Sequence, residues 1–345
     1  MNVLVVGSGA REHAIVWKLS ASPQVDKLLV APGNAGTGLI ATNCPNSPDD
    51  IDGLLRLAKS HSVDLTIVGP EIPLANGIVD AFASEGHVIF GPTRAAAQIE
   101  SSKVFAKELM RSHGVPCPEF GVFHDYHEAH DFLSGHEGPV VVKANGLAAG
   151  KGVFVCERRN DALAALDKCM SARDFGAAGD VVVVEEYLEG REVSVFAFSD
   201  GEHVSSLVAA CDYKRLMDGD AGPNTGGMGS YTPPEFWTYQ LEDRVRQEIM
   251  IPVIRALAEN GTPYRGVLYA GLMITPQGTK VLEFNCRLGD PEAQVVLPML
   301  KTDLMDVVLR CINGEVDKLA LEWYEGACVG GVMASDGYPG EYSRG

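Results

Sequence analysis

The sequence predicts a multidomain protein of mixed α/β and α+β architecture that opens with a doubly wound parallel sheet. Three observations carry this. The chain has 345 residues, too many for one ordinary core. Its first hundred residues alternate short apolar runs with amphipathic helical patterns, the rhythm of parallel βαβ units. After residue 100 that rhythm gives way to paired and longer strands around a glycine-rich loop. Hydrophobic residues make up 46% of the chain, enough to fill real cores.

The apolar runs of the first part are Val3–Val6, Lys27–Val30, Leu65–Val68 and Val88–Phe90, and the helical patterns are Arg11–Leu19, Asp49–Lys59 and Leu74–Ser84. Each run ends in a loop carrying Gly or Pro, at the edge where such sheets bind ligands. A new helix begins at Ser101–Ser102 and stops at Gly114, with Pro116 beyond it, so the domain boundary falls just before it. A helix over Tyr126–Leu133, strands Val140–Lys143 and Val153–Cys156, a helix over Ala162–Met170 and the strand Val181–Glu185 make a small α+β unit. From Arg191 to Asn285, long strands and one long helix, Leu241–Asn260, form a larger body. No repeat of solenoid period recurs.

Charge narrows the partners. Against 28 basic residues stand 46 acidic ones, a net −18, and that field repels nucleic acid and anionic lipid. Neither is an expected partner, and anionic substrates must be captured by local amide cradles and a few Lys and Arg side chains. The eight Cys have no CxxC pair and mostly apolar neighbours, as in a reducing cytosol. Val3–Val6 is too short for a signal-peptide core, and no apolar run is long enough to span a membrane. A cytoplasmic protein is expected.

Gly7-Ser8-Gly9-Ala10-Arg11-Glu12 follows a strand and opens a helix. It fails as a dinucleotide fingerprint, because Glu12 holds the third glycine position and the second strand leads into Ala31-Pro32-Gly33-Asn34 without a carboxylate for a ribose diol. What survives is a helix N-terminus able to hold one phosphate, with Arg11 beside it. A tight turn without a ligand is the plain alternative. Asn34 and Glu71, in the loops after the second and third strands, are placed to line the same crevice.

Lys143-Ala-Asn-Gly146-Leu-Ala-Ala-Gly150-Lys151-Gly152 lies between two strands and is no Walker A loop, since Gly152 stands where a Ser or Thr would hold magnesium. A Gly/Ala-rich hairpin of this kind folds as a flap over polyphosphate, with Lys143 and Lys151 as point charges. A bland hairpin is its alternative. Beyond it, Val181–Val184 leads into Glu185-Glu186-Tyr187-Leu188-Glu189-Gly190-Arg191-Glu192, which suits an adenine pocket or ordinary edge solvation.

In Val281-Leu-Glu283-Phe-Asn285-Cys-Arg287-Leu-Gly289-Asp290, alternation puts Glu283, Asn285 and Arg287 on one strand face, with Leu282 and Phe284 turned to the core. A carboxylate beside an amide oxygen suits Mg2+ or Mn2+, and Arg287 a transferring phosphoryl group. A solvated polar face is the alternative. His124, His127, His130 and His136 lack Cys partners and read as a solvated helix face.

Taken together and in order, Gly9-Ala-Arg-Glu-His13, Ala31-Pro-Gly-Asn-Ala-Gly-Thr37, Val68-Gly-Pro-Glu71, Lys143 through Gly152, Gly222-Pro-Asn-Thr-Gly-Gly-Met-Gly229 and Glu283-Phe-Asn-Cys-Arg-Leu-Gly-Asp-Pro-Glu292 resemble the phosphoribosylamine–glycine ligase family along the whole chain. The resemblance implies a Rossmann-like N-terminal domain over 1–100, which binds substrate. An ATP-grasp domain over 101–322 would follow, with a flap subdomain at about 123–190, and then the start of a C-terminal domain over 323–345 that the family continues further. It implies ATP-dependent joining of glycine to 5-phosphoribosylamine, giving glycinamide ribonucleotide, ADP and phosphate through an acyl phosphate. By similarity, Lys103 and Lys143 contact ATP phosphates, and Ala148, Ala149, Gly150, Lys151 and Gly152 cover them. Glu185 and Leu188 would bind adenine, Glu192 the ribose, and Glu283 and Asn285 the metal. Arg287 and Asp290 would lie near glycine, whereas Gly9, Arg11, Asn34 and Glu71, with a loop of Asn224, Thr225, Gly226, Gly227, Met228 and Gly229, would take the phosphoribosylamine side. A monomer or weak dimer is expected. Competing readings are a nucleotide-binding dehydrogenase, an ATP-binding fragment without turnover, and a related purine-pathway enzyme acting on another carboxylate such as bicarbonate.

Overall fold

The computed structural model describes residues 1–148, 151–219 and 221–342. They fall into two compact units, Met1–Ala96 with Val193–Ala270 and Asn285–Gly345, and Ala97–Glu192 with Gly271–Phe284.

The first unit begins with β1 (Asn2–Gly7), α1 (Ala10–Ser20), β2 (Lys27–Pro32), β3 (Thr42–Asn43), α2 (Ile51–Ser60), β4 (Leu65–Val68), α3 (Glu71–Ala75), α4 (Ile78–Ser84) and β5 (Ile89–Phe90). The strands make a five-stranded parallel sheet in the order β3-β2-β1-β4-β5, the doubly wound arrangement that the alternating runs predict. Val3–Val6 and Leu29–Ala31 are fully buried, as parallel strands covered on both faces must be. Two details differ. The added strand β3 has both residues exposed, so no apolar run marks it. The helical pattern Leu74–Ser84 is broken at Gly77, whose φ of 89° is left-handed and splits it into two short helices. Glu71 consequently opens α3 instead of sitting in a loop.

The second unit opens with α5 (Gln98–Ser101) and α6 (Lys103–Ser112). Between them the extended Ser102 accepts the Phe105 N–H on its hydroxyl at 3.2 Å, an N-cap that starts α6. Then come β6 (Phe120–Phe123), α7 (Tyr126–Gly135), β7 (Val140–Ala144), β8 (Val153–Cys156), α8 (Arg159–Leu166) and β9 (Val182–Glu186). Antiparallel pairing gives a four-stranded sheet, β6-β9-β7-β8, whose apolar face packs on α7 and α8 around Leu133, Val142, Leu166 and Val184. The predicted helix Ala162–Met170 starts three residues early, at Arg159, and runs into a π turn at Asp167–Ser171.

The chain continues through β10 (Arg191–Asp200), β11 (Val208–Met217), β12 (Ala221–Thr232), α9 (Tyr239–Val245), α10 (Ile251–Glu259), β13 (Arg265–Thr275), β14 (Gly278–Asn285), α11 (Ala293–Met299), α12 (Leu304–Asn313) and β15 (Cys328–Gly331). Six strands form one sheet in the order β14-β13-β10-β11-β12-β15. The core of the first unit joins β1, β2 and β4 to α1, α11 and α12 through Val5, Leu19, Val30, Val296 and Val308. The predicted long helix Leu241–Asn260 is interrupted by a π turn at Arg246–Met250, just before Pro252. Proline has no N–H to continue the ladder, and the wider turn absorbs the break. No helix among the described residues is long and apolar enough to cross a membrane. All eight Cys are among them and none forms a disulfide.

Candidate active site

In the second unit, a lysine–carboxylate cluster is built from α6, β7 and β9. Asn145, just past β7, anchors the start of α6. Its Oδ1 accepts the Val104 N–H at 2.9 Å and the Ser102 hydroxyl at 3.2 Å, and its carbonyl accepts the Lys103 N–H at 2.9 Å. That places Lys103 where its Nζ donates to the Gly146 carbonyl at 3.1 Å. Burial pushes the Lys103 ammonium below its usual range, an effect that the Glu283 carboxylate partly offsets.

Lys143, only 5% exposed, donates from Nζ to the Leu282 carbonyl at 3.1 Å and pairs with Glu185 Oε1 at 3.0 Å. The other oxygen, Oε2, lies 3.1 Å from Lys107 Nζ. Both Glu185 and Lys107 are 2% exposed. The Glu185 carboxylate thus lies at ion-pair distance from two lysines, one on each oxygen. Glu186 is committed too, accepting the Glu119 N–H at 2.9 Å and pairing with Lys280. Leu188 is half-buried and Glu192 exposed. Lys107 was missed from sequence, although a lysine one turn after Lys103, among the buried Ala106, Leu109 and Met110, is a visible signal.

The flap is only partly described, because Ala149 and Gly150 lie outside the described residues. Its two ends are tied by Ala144 N–H to Gly152 O at 2.8 Å and Lys151 N–H to Ala148 O at 2.9 Å. A Cβ at Gly152 would stand 2.7 Å from that of Ala148, so only glycine lets the ends approach this closely. Lys151 is exposed.

In the first unit, the turn after β1 is closed by the protein's own carboxylate. Glu12, 2% exposed, accepts the Gly9 N–H on Oε2 at 2.6 Å and the Arg11 Nε–H on Oε1 at 2.6 Å. The amide cradle read as a phosphate site is thus not free at Gly9, and Arg11, 7% exposed, also donates to the Leu288 carbonyl at 3.4 Å. A Cβ at Gly7 or Gly69 would fall 2.5 or 2.1 Å from Glu12. Both glycines make room for that side chain. Asn34 is likewise engaged: Nδ2 donates to Ser8 O at 2.9 Å and Gly9 O at 3.2 Å, while Oδ1 accepts the Thr37 N–H at 2.9 Å. It braces the turn instead of projecting a free amide.

Arg287 draws the remaining residues of this unit together. Its Nε donates to Glu71 Oε2 at 3.1 Å and its Nη2 to Asn285 Oδ1 at 3.4 Å. Burial alone would push the Glu71 carboxyl up, but Arg287, its own helix amide and Arg11 together hold it below the usual range. Asp290, exposed, accepts from Gln294 Nε2 at 2.5 Å, and its Oδ2 would lie 3.4 Å from a Cβ on Gly9. Asn224, Thr225, Gly226, Gly227, Met228 and Gly229, expected in a loop, lie within β12. Gly227, at φ 118°, presses on Pro291, where a Cβ would sit 2.5 Å from Pro291 Cδ. The Gly226 N–H donates to Tyr338 Oη at 3.1 Å.

The metal strand is less solvated than alternation suggests. Val281, Phe284 and Asn285 are buried and Leu282 and Glu283 half-buried, so a plain solvent face does not describe it. No group of three or more His, Cys, Asp or Glu among the described residues stands ready to hold a metal alone. A carboxylate and an amide oxygen two residues apart still fit a hard ion that completes its shell with phosphate oxygens and water.

These two halves are the parts of an ATP-grasp ligase, an enzyme class that uses ATP to join a carboxylate to an amine. A family model described as phosphoribosylglycinamide synthetase, N domain, matches residues 1–100, and one described as phosphoribosylglycinamide synthetase, ATP-grasp (A) domain, matches residues 101–293. The chain belongs to the phosphoribosylglycinamide synthetase family. It is 50% identical over 346 residues to the phosphoribosylamine–glycine ligase of Halalkalibacterium halodurans, covering 100% of this chain and 80% of that protein. With that of Caldanaerobacter subterraneus subsp. tengcongensis it shares 49% over 345 residues, covering 100% and 83%. The crystal structure of phosphoribosylamine–glycine ligase from Thermotoga maritima aligns with a TM-score of 0.86 at 31% identity, over 99% of this chain and 83% of that one. A biotin carboxylase domain from Hydrogenobacter thermophilus, at 16% identity and a TM-score of 0.72 over 95% of this chain and 73% of that one, shares the fold. ATP and a divalent metal are the family's reactants and ion.

Proposed function

We propose that the chain joins glycine to 5-phosphoribosylamine, converting ATP to ADP and phosphate and yielding glycinamide ribonucleotide, as a cytoplasmic step of de novo purine synthesis. The observation that carries this reading is the cluster of Lys103, Lys143 and Glu185 at the start of α6 and the ends of β7 and β9, in a chain of this family. A carboxylate is a poor electrophile, so the glycine oxygen first attacks the γ-phosphorus of ATP. ADP leaves, and glycyl phosphate forms. The sugar amine then attacks the acyl carbon and phosphate departs. Neither step needs a protein nucleophile, only positioning and charge neutralisation.

Lys103 and Lys143 hold the phosphates and the flap from Ala148 to Gly152 covers them. The main chain from Glu185 to Leu188 takes the adenine, since the acids of β9 are engaged elsewhere, and Glu192 takes the ribose. Glu283 and Asn285 would hold Mg2+ or Mn2+, which supplies charge neutralisation at the phosphoryl oxygens. Arg287 and Asp290 orient glycine and its acyl phosphate. Gly9, Arg11, Asn34 and Glu71, with Asn224–Gly229, shape the amine side, and the first three act through the braced turn around Glu12. The test is ADP release with the amine generated in situ, omitting each substrate in turn. Release that needs both glycine and amine supports the reading; release that ignores either sinks it.

A further inference from the structure

Lys107 is a buried cation for which the reaction gives no direct use. It lies one turn after Lys103, on the face of α6 that buries Ala106, Leu109 and Met110. Its Nζ meets Glu185 Oε2 at 3.1 Å, and the opposite oxygen of that carboxylate meets Lys143 Nζ at 3.0 Å. All three side chains are nearly sealed from water, with side-chain exposures between 1 and 6%. Around Lys143 Nζ, Glu185 and the Leu282 carbonyl occupy two directions.

A lone Lys143–Glu185 pair would be electrically neutral, and its carboxylate would oppose any phosphate brought to Lys143. With Lys107 the trio carries one net positive charge. In a medium of low dielectric that difference is large. We propose that Lys107 is a positioning residue which balances the charge of the Glu185 carboxylate so that Lys143 keeps its charge for the polyphosphate. This rests on the reading of Lys103 and Lys143 as nucleotide ligands. The groups that face Lys107 are Glu185 and Glu186 on β9, Lys143 on β7 and Cys117 ahead of β6. Burial, opposed by Glu185 and reinforced by Lys143, brings the Lys107 ammonium down to about 8. The positive charge that it supplies is therefore present at neutral pH and lost as pH rises through that value.

The experiment measures MgATP binding by calorimetry from about pH 7 to 9.5, on the full chain and its Lys107→Met, Lys107→Arg and Lys143→Met variants. Arginine stays charged across this range. For the wild type, affinity should hold near neutrality and fall above pH 8. Lys107→Arg should bind as the wild type does at pH 7 and keep that affinity to pH 9.5. Lys107→Met should bind about tenfold more weakly at pH 7 with a flat profile, the effect of one lost neighbouring charge. Wild-type binding by Lys107→Met at pH 7, or one shared pH profile for wild type and Lys107→Arg, overturns the inference while leaving the nucleotide site standing if Lys143→Met binds poorly. Wild-type binding by Lys143→Met overturns both. Melting curves accompany each protein. Should Lys107→Met fail to fold, the arginine variant decides alone, since binding that persists to high pH supports the role and a fall in step with the wild type refutes it.

Discussion

Glu12 stands where a dinucleotide fold carries its third glycine, and this one side chain changes what the first turn does. Its carboxylate takes the Gly9 N–H and the Arg11 guanidinium, so the helix N-terminus is already neutralised from within. The glycines at 7 and 69 are explained by the same side chain, since each would otherwise clash with it. Near it, Glu71 shows how charge sets pH dependence. Arg287 and Arg11 overcome its burial and hold its carboxyl low. The unfolded chain then takes up that proton first on acidification, so the stabilisation is present above the ordinary carboxylate range and lost as pH falls through the lower folded value. Glu71→Gln should flatten the fall in Tm between about pH 5 and 3; thermal melts running parallel to the wild type in that window would show that the ion pair contributes nothing. At the strand proposed to hold the metal, Glu283→Gln keeps shape but removes one charge from the proposed ion site. Turnover should drop at least roughly tenfold, about 1.4 kcal/mol, with Tm little changed. Glycine-dependent ADP release across a Mg2+ titration measures this, and full turnover at low Mg2+ would remove Glu283 as a ligand.

Among the elements, α6 and β7 form one device. Asn145 receives two N–H groups and a hydroxyl from the start of α6, so the helix that carries Lys103 and Lys107 is registered on the strand that carries Lys143. Asn145→Ala should weaken ATP binding about tenfold, as one displaced cation would, while the KM for glycine stays put. Equal changes in both constants, read from initial rates, would mean a general loss of fold. Much of this was legible in advance. The runs Val3–Val6 and Val153–Cys156 match their strands, and Ser102 marks the start of α6. What escaped did so for physical reasons. Thr42–Asn43 is a short exposed strand with no apolar residue to mark it, and Gly77 breaks a helix whose apolar pattern runs on. The glycines of Gly222–Gly229 read as a loop, yet Arg215 pairs with Asn224 and Tyr213 with Gly229 in a hairpin whose bulges accommodate them. Candidate site residues were named where motif spacing exposes them. Lys107 and the bracing roles of Glu12 and Asn34 depend on side-chain geometry that spacing does not carry.

At the scale of the molecule, a net charge of −18 means that anionic substrates arrive against the field. On the proposed reading, capture falls to a few cations, Lys103, Lys143 and Arg287. The chemistry asked of them is to neutralise charge while a carboxylate oxygen becomes a phosphate oxygen. That transfer of an oxygen atom leaves a direct trace. Glycine labelled with 18O in its carboxylate should be incubated with MgATP and amine generated in situ, and the released phosphate analysed by mass spectrometry. One labelled oxygen per phosphate is expected, because the oxygen that attacks the γ-phosphorus departs with it when the amine displaces the acyl group. Phosphate without label, formed alongside ADP at the full rate of turnover, would contradict the account.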